Sequence, residues 1–378
     1  MKVLYITHYA GFYGANRSLL KLICELRELH DVEPLVIIPM HGTVVKELVK
    51  NKIPYKIYKF YNWQDINSTW FKAAIKHFLN CCQFPLIALN LRKNHFDIIH
   101  TNTSICNLGG YLSKKMNRPH IWHIREFGKP DFNAEYFQGI VKAGKFFTRN
   151  ATVVIAISKA IKEYYKDYIN PDKIEVIYNG VEVEPDLVKK NNENRPLQLC
   201  FTGVITENKN QMEAILACLY LLKEKKESNF MLNFIGDGPD DYYPSLVDFV
   251  EKNGLSNHVK FFGYVNNIDN LLKGFDLGIV CSKREAFGRV TVEYMARKIP
   301  VIASNSGANP EIIKNGVTGY LYSPGNHEEL ANYIYEVINE RSILKDMGSA
   351  AYKDTIGRFL STTNTSNIIE LYNRVCNK

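Results

Sequence analysis

The chain is 378 residues long, 46% hydrophobic and 23% charged; those proportions are ordinary for a soluble globular protein, and the length predicts two domains rather than one core. Its longest nearly apolar stretch, around Phe84 to Leu91, is broken by Pro85 and Asn90 and is too short to span a bilayer. The net charge of +8 is lopsided, with 25 Lys and Arg against 16 Asp and Glu through Pro185 and 22 against 23 beyond it; the basic half suits an anionic membrane surface or a phosphate-bearing acceptor, and no helix-turn-helix, zinc-finger or RNP-like pattern speaks for nucleic acid.

MKVLYITHYAG opens as a buried strand, residues 3–7, running into a glycine turn, and carries no signal-peptide cleavage region. GFYGANRSLLKL (11–22) follows, where Gly14 either lets backbone N–H groups approach a phosphate or serves a plain strand-to-helix turn. The run is not GxGxxG, so a dinucleotide fingerprint is unsupported. Further strands are predicted at 33–39, 97–102, 119–124 and 152–158. Between them, Phe71, Ile75, Phe78 and Leu79 fall at helical spacing with Lys72 and Lys76 alongside. That pattern fits a helix packed on the sheet or an interfacial helix on a membrane. Asn179–Gly180 predicts a turn, and the polar run 182–196, bracketed by prolines, predicts an interdomain linker. The second half repeats the theme with strands at 197–203, 230–236, 259–264, 277–282 and 300–304. Strands alternating with helical patterns predict two parallel α/β sheets. Eight scattered cysteines without a metal or CxxC spacing read as free thiols of a reducing, cytoplasmic compartment.

Residues 282–312, SKREAFGRVTVEYMARKIPVIASNSGANPEI, hold two glutamates eight residues apart, Glu285 and Glu293, around Phe287–Gly288. Strand, acidic loop, helix and strand make a βαβ unit whose helix N-terminus suits an anion. Eight residues of helix would rise about 12 Å, the span between the sugar and the ribose of a sugar nucleotide.

With GVITENKNQ (203–211), FIGDGP (234–239), FFGYV (261–265), VIYNGVE (176–182), VIAISKAI (154–161) and NGVTGYLY (315–322), this segment resembles family 4 of the retaining glycosyltransferases with a GT-B fold, over nearly the whole chain. The resemblance implies an α/β, GT-B architecture: two Rossmann-like β/α/β domains facing each other across a cleft. Residues 1–181 would form the acceptor side, joined by a C-terminal helix at 361–378, and residues 197–360 the nucleotide-sugar side. It implies Glu285 on the transferred sugar, Glu293 on the ribose, and Lys209 on the diphosphate. Gly203, Phe287, Gly288 and Arg289 would line the phosphates, Gly14 would face the cleft, and His123 would approach the reacting carbon. Arg125 and Glu126 would contact acceptor or phosphate. One departure stands out: many members of the family that this chain resembles place an arginine directly after the glycine of this turn, whereas Gly203 is followed by Val204. Arg289, Arg284 or Arg125 would then supply the second cation, Arg289 first.

The activity implied is retaining transfer from a nucleotide sugar, UDP being the family's commonest nucleotide, to a glycan or lipid-linked acceptor in polysaccharide or glycoconjugate biosynthesis. The protein would be cytoplasmic, with peripheral placement on the inner face of the membrane as a further reading. No Asp-x-Asp pair suggests a metal, and no cofactor is implied beyond the nucleotide-sugar substrate. The alternatives are another GT-B activity, epimerase or phosphorylase, or a degenerate non-catalytic partner subunit, which the missing arginine motivates.

Overall fold

The computed structural model describes residues 1–66, 69–183, 195–238, 241–265 and 268–377. The predicted linker, 182–196, lies outside the described residues except at its two ends. Contacts divide the chain into two units, Met1–Gly180 with Ser361–Lys378, and Val181–Leu360.

The first unit contains β1 (Lys2–Ile6), β2 (Glu33–Ile38), β3 (Tyr55–Ile57), β4 (Gln64–Ile66), β5 (Ile98–Thr101), β6 (His120–Ile124), β7 (Ala134–Tyr136), β8 (Val153–Ala156) and β9 (Ile174–Val176). Seven of these form a parallel sheet in the order β3-β2-β1-β5-β6-β8-β9, and β4 pairs antiparallel with β7. Side chains alternate across a strand, and β1 shows the consequence. Val3 and Tyr5 enter one core with Leu19, Ile23 and Leu26; Leu4 and Ile6 enter the other with Phe84, Ile87 and Leu91. A parallel strand covered on both faces reads as a continuous apolar run, which is why VLYI is legible as a strand. The helix Ser361–Cys376 returns to the first of these cores through Ile368, Leu371, Tyr372 and Val375.

The second unit contains β10 (Leu197–Thr202), β11 (Phe230–Ile235), β12 (Val259–Phe261), β13 (Leu277–Val280), β14 (Val301–Ser304) and β15 (Gly319–Tyr322), a parallel sheet ordered β12-β11-β10-β13-β14-β15. Leu197, Leu199 and Phe201 of β10 pack on Ile215, Cys218 and Leu221 of the helix Gln211–Lys223.

Candidate active site

In an open parallel sheet the carboxyl ends of the strands frame a crevice where the strand order reverses. In the second unit the reversal falls between β10 and β13, which puts that crevice at the loops after Thr202 and Val280. Gly203 has φ +133° and Gly236, after β11, has φ +148°, conformations that side chains disfavour. A Cβ on Gly236 would stand 1.9 Å from the Gly203 carbonyl oxygen, whereas nothing lies within 4 Å of the Cβ position on Gly203. The glycines thus let two loops stack backbone on backbone and leave space above Gly203.

Lys209 and Glu285, 76 residues apart, meet between these loops: Lys209 Nζ lies 2.7 Å from Glu285 Oε2. The Ser282 hydroxyl donates to the same oxygen at 2.9 Å, and the Gly288 N–H donates to Oε1 at 3.3 Å. A backbone bond from Lys283 N to Asn208 O, 2.8 Å, fastens one loop to the other. Burial pushes the Glu285 carboxyl upward, but the Lys209 ammonium and the hydrogen bonds outweigh it, and its pKa lies below the ordinary value. Glu285 is therefore a carboxylate at neutral pH. Its backbone is held from behind. Ala308 N donates to Glu285 O at 2.8 Å, and Gly307, at φ +57°, approaches so closely that a Cβ there would lie 2.2 Å from that oxygen. Buried Asn309 fixes the same loop by donating to Ser304 O at 3.0 Å and accepting the Thr291 hydroxyl at 3.2 Å.

The eight-residue interval between the glutamates is not helical throughout, contrary to the 12 Å helical rise expected. Gly288, at φ +83°, breaks the backbone, and the helix runs only from Arg289 to Met295. Glu293 sits on that helix and Glu285 in the loop before it. Tyr294 docks the helix: its hydroxyl accepts from Thr202 N at 2.8 Å, and its ring fills the space left by Gly278, where a Cβ would stand 2.4 Å away. Arg289 Nε lies 2.7 Å from Glu293 Oε1, an i,i+4 pair, so Arg289 turns along the helix toward Glu293. The Phe287 ring is buried against Phe359, centroids 6.0 Å apart. Val204, directly after Gly203, is 53% exposed.

Gly14 and His123 belong to the first unit. Gly14 starts the helix Gly14–His30, with no atom within 4 Å of its Cβ position. Buried Asn16 shapes the loop before it, accepting the Thr7 hydroxyl at 2.6 Å and donating to Gly11 O at 2.7 Å. His123, on β6, is fully buried. Arg125 Nη2 lies 3.4 Å from His123 Nδ1, and His100 Nε2 lies 3.2 Å from the same atom. A guanidinium only donates, so Nδ1 accepts and a neutral His123 carries its proton on Nε2, which has no hydrogen-bond partner. His100 then donates from Nε2 and accepts the Tyr372 hydroxyl at Nδ1, 2.7 Å. Burial, then the charges of Arg125 and His100, hold the His123 pKa well below its ordinary value. Arg125 and Glu126 are themselves buried and committed within the unit. Arg125 donates to Asn102 at 2.7 Å and Asn179 at 2.5 Å, while Glu126 Oε1 accepts from Thr103 Oγ1, Ser104 N and Ser104 Oγ. Burial raises the Glu126 pKa, with those hydrogen bonds opposing it.

Ser282, Gly307, Asn309 and His100 escape the sequence reading. Gly307 and Asn309 lie inside a segment the sequence singles out, but their task appears only when the loop after β14 is folded against the loop after β13. Among the described residues no group of three or more His, Cys, Asp or Glu side chains could hold a metal ion.

Two units, each built on a parallel sheet alternating with helices, have the architecture of the GT-B class. The family model of glycosyl transferases group 1 matches residues 183–354, and that of glycosyltransferase family 4 matches residues 12–185. An uncharacterized glycosyltransferase of Methanocaldococcus jannaschii is 30% identical over 265 residues, 68% of this chain and 70% of the relative. The N-acetyl-alpha-D-glucosaminyl L-malate synthase of Bacillus anthracis is 22% identical over 343 residues, 86% of this chain and 87% of that enzyme. Among solved structures, Anabaena HepE in complex with UDP-glucose superposes with a TM-score of 0.81 at 24% identity, covering 99% of this chain and all of the other. The chain belongs to the glycosyltransferases that these family models describe, and it is an enzyme of GT-B fold.

Proposed function

We propose that this glycosyltransferase moves a sugar, with retention of configuration, from a UDP-sugar to a glycan or lipid-linked acceptor in polysaccharide or glycoconjugate biosynthesis. The observation that carries the reading is the Lys209–Glu285 pair, 2.7 Å apart at the reversal point of the second sheet beside the open face of Gly203. HepE, of the same fold, is found with UDP-glucose. Lys209 has three N–H donors and Glu285 takes one, so the others suit a diphosphate oxygen. Glu285, kept ionised, accepts from sugar hydroxyls; Glu293 accepts from the ribose. Negative charge grows on the leaving diphosphate as the anomeric C–O bond stretches. Lys209 and the amides of 287–289 meet that charge with donors already in place. A diphosphate oxygen takes the acceptor's proton on the same face, so paired carboxylates of the glycosidase kind are not needed. Arg289 is the second cation, replacing the arginine absent at Val204, and reaches the phosphates by leaving Glu293 when Glu293 takes the ribose. His123 Nε2–H, in the first unit, donates to a sugar hydroxyl, and Gly14 admits the phosphate end of the donor. The exposed apolar helix that includes Phe71 and Phe78 rests on an anionic membrane from the cytoplasmic side.

The test is donor turnover. Sugar nucleotides are screened for thermal stabilisation, and the best donor is assayed for transfer or hydrolysis, with the anomer of the product read by NMR. Retention, nucleotide release and survival of turnover in excess EDTA are expected. An inverted product, or no UDP binding by calorimetry, overturns the reading. Arg289→Ala should lower the rate, and adding Val204→Arg should recover part of it; an unchanged rate in Arg289→Ala removes Arg289 from the site.

A further inference from the structure

The first unit holds a pocket of about 340 Å³ lined by Trp63, Asp65, Trp70 and Ala73 on one side and by residues from Asn133 to Phe137 on the other, at the small end of the roughly 300–1,000 Å³ range of small-molecule sites. Trp63, Trp70, Tyr136 and Phe137 line it together with Asp65 and Glu135. It is built on the β4–β7 ribbon. A two-stranded ribbon alone is at best marginal in water, and this one is bolted to the main sheet. Trp63 stacks on Trp122 of β6, centroids 5.9 Å apart at 15°, and its Nε1 donates to Ser104 O at 2.7 Å. Phe137 N donates to Trp63 O at 3.0 Å, and buried Gln64 donates to Ala134 O at 3.1 Å. Ser104 also donates twice to Glu126, so the pocket is wired to the loop that follows His123.

Stability does not explain the two carboxylates. The register sets Asp65 directly opposite Glu135, and like charges so opposed destabilise an antiparallel pair. Each is matched by a lysine: Lys76 Nζ lies 2.6 Å from Asp65 Oδ1, and Lys129 pairs with Glu135. Carboxylates paired in this way offer a cation little net charge, yet keep lone pairs for hydroxyl donors. The aromatic faces carry negative potential that attracts polarised C–H groups. A pyranose presents both features at once, a face of C–H groups and an edge of hydroxyls. Trp70 is 66% exposed, with its ring 6.1 Å from Phe137 at 43°, a platform braced from one side.

We propose that this pocket binds a sugar ring of the acceptor, presented as a free glycan or as a glycan on a lipid carrier. The inference rests on the glycosyltransferase reading only for the word acceptor, since binding here needs no donor. The chain's tryptophans are Trp63, Trp70 and Trp122, two lining the pocket and the third stacked on it, so intrinsic emission reports occupancy. Full-length protein without nucleotide is titrated with neutral disaccharides ending in glucose, galactose, mannose or N-acetylglucosamine, each free and as its polyprenyl diphosphate. At least one free disaccharide should give a saturable change. Trp70→Ala and Asp65→Asn should each weaken it by about tenfold or more, as loss of an aromatic anchor or of its polar partner does. UDP affinity, measured separately, should be unchanged in both variants. Silence across the free sugars overturns the proposal, as does wild-type sugar affinity in Trp70→Ala. A response confined to the polyprenyl forms and surviving Asp65→Asn also overturns it, because the tail rather than the sugar is then being read. Loss of UDP binding in wild-type protein with sugar binding intact would instead sink the donor assignment alone.

Discussion

At the scale of single residues, the charges of the candidate site are paired with one another, Lys209 with Glu285 and Arg289 with Glu293. Glu293 faces Arg289 in an i,i+4 pair of half-exposed groups, an arrangement that contributes only about 0.3–0.5 kcal/mol to stability. A charge-assisted hydrogen bond to a ligand is stronger, about 1.5–3 kcal/mol. Glu293→Ala is therefore expected to weaken UDP binding by roughly tenfold or more while barely moving the melting temperature. Calorimetry showing wild-type UDP affinity would remove Glu293 from the ribose. The histidines make a second, independent prediction. Burial holds His8 and His120 down to about 4, and His100 and His123 well below the ordinary value. Above the unfolded value of about 6.5 these rings are neutral in both states and their contribution is intact. As the pH falls below that, the unfolded chain takes up protons that the folded one refuses, and stability declines by up to about 1.4 kcal/mol per pH unit per ring until the folded pKa is reached. Glu126, with its pKa raised by burial, works in the opposite sense. Thermal unfolding should show a midpoint that drops between pH 7 and pH 5. His8→Phe should flatten that slope by about one proton, since His8 Nδ1 has no hydrogen bond to lose. A midpoint independent of pH in this window would contradict the burial argument.

Elements show where sequence pattern is sufficient and where it is not. Phe71, Ile75 and Phe78 do recur at helical spacing on Trp70–Leu91, but they are 75%, 59% and 67% exposed. The inner face is instead Phe84, Ile87, Ala88 and Leu91. Periodicity identifies a face without saying what covers it, so packing and membrane contact were indistinguishable from the residues alone. The exposed face leads to a prediction: the full-length protein should sediment with anionic vesicles at low salt and less at high salt. Phe71→Ser with Phe78→Ser should abolish sedimentation without lowering the melting temperature, and Lys72→Glu should weaken it. Lys76 is the poorer probe, being held by Asp65. Sedimentation unchanged by the double substitution would leave the helix as ordinary surface. Strand pattern behaved more simply. β1, β2, β5, β6, β8, β10, β11, β13 and β14 were legible as apolar runs because both faces are covered, and the edge strand β12 was legible too, as part of VKFFGY. The strands not read, β3, β4, β7, β9 and β15, are short, and β3, β9 and β15 are sheet edges. Edge strands are commonly short and polar, and YKI and IEV carry a charge at their centres. The candidate site divides along the same line. Charged members such as Lys209 and Glu285 announce themselves through their motifs. Gly307 and Asn309, which hold Glu285 in place, are uncharged and matter only through a contact between distant loops.

Over the whole molecule, the chain does not finish where its second unit does. Helix Ser361–Cys376 belongs with the first unit, and it is fastened there by packing and by polar contacts. Thr365 Oγ1 donates to Glu25 at 2.5 Å, Asn364 Nδ2 donates to Tyr178 O at 2.6 Å, and Arg374 pairs with Glu175. Ile368, Leu371, Tyr372 and Val375 are buried in the core shared with β1 and β5. At about 1.5–3 kcal/mol for each buried side chain, removing them costs on the order of 6–12 kcal/mol, comparable to the roughly 5–15 kcal/mol that keeps a domain folded. Deletion of 361–378 also takes away the Tyr372 hydroxyl that His100 accepts, so the tautomer chain leading to His123 loses its outer end. The second unit has its own core and loses none of these contacts. Hydrogen exchange followed by mass spectrometry should therefore show β1, β5 and β6 deprotected in the truncated chain while β10, β11, β13 and β14 stay protected. Tyr372→Phe separates the two effects: it keeps the buried ring, so protection should persist, and any loss of turnover would then belong to the hydrogen-bond chain. Full protection of β1 and β5 after the deletion would show that the first unit stands without its returning helix, and the packing argument would fail.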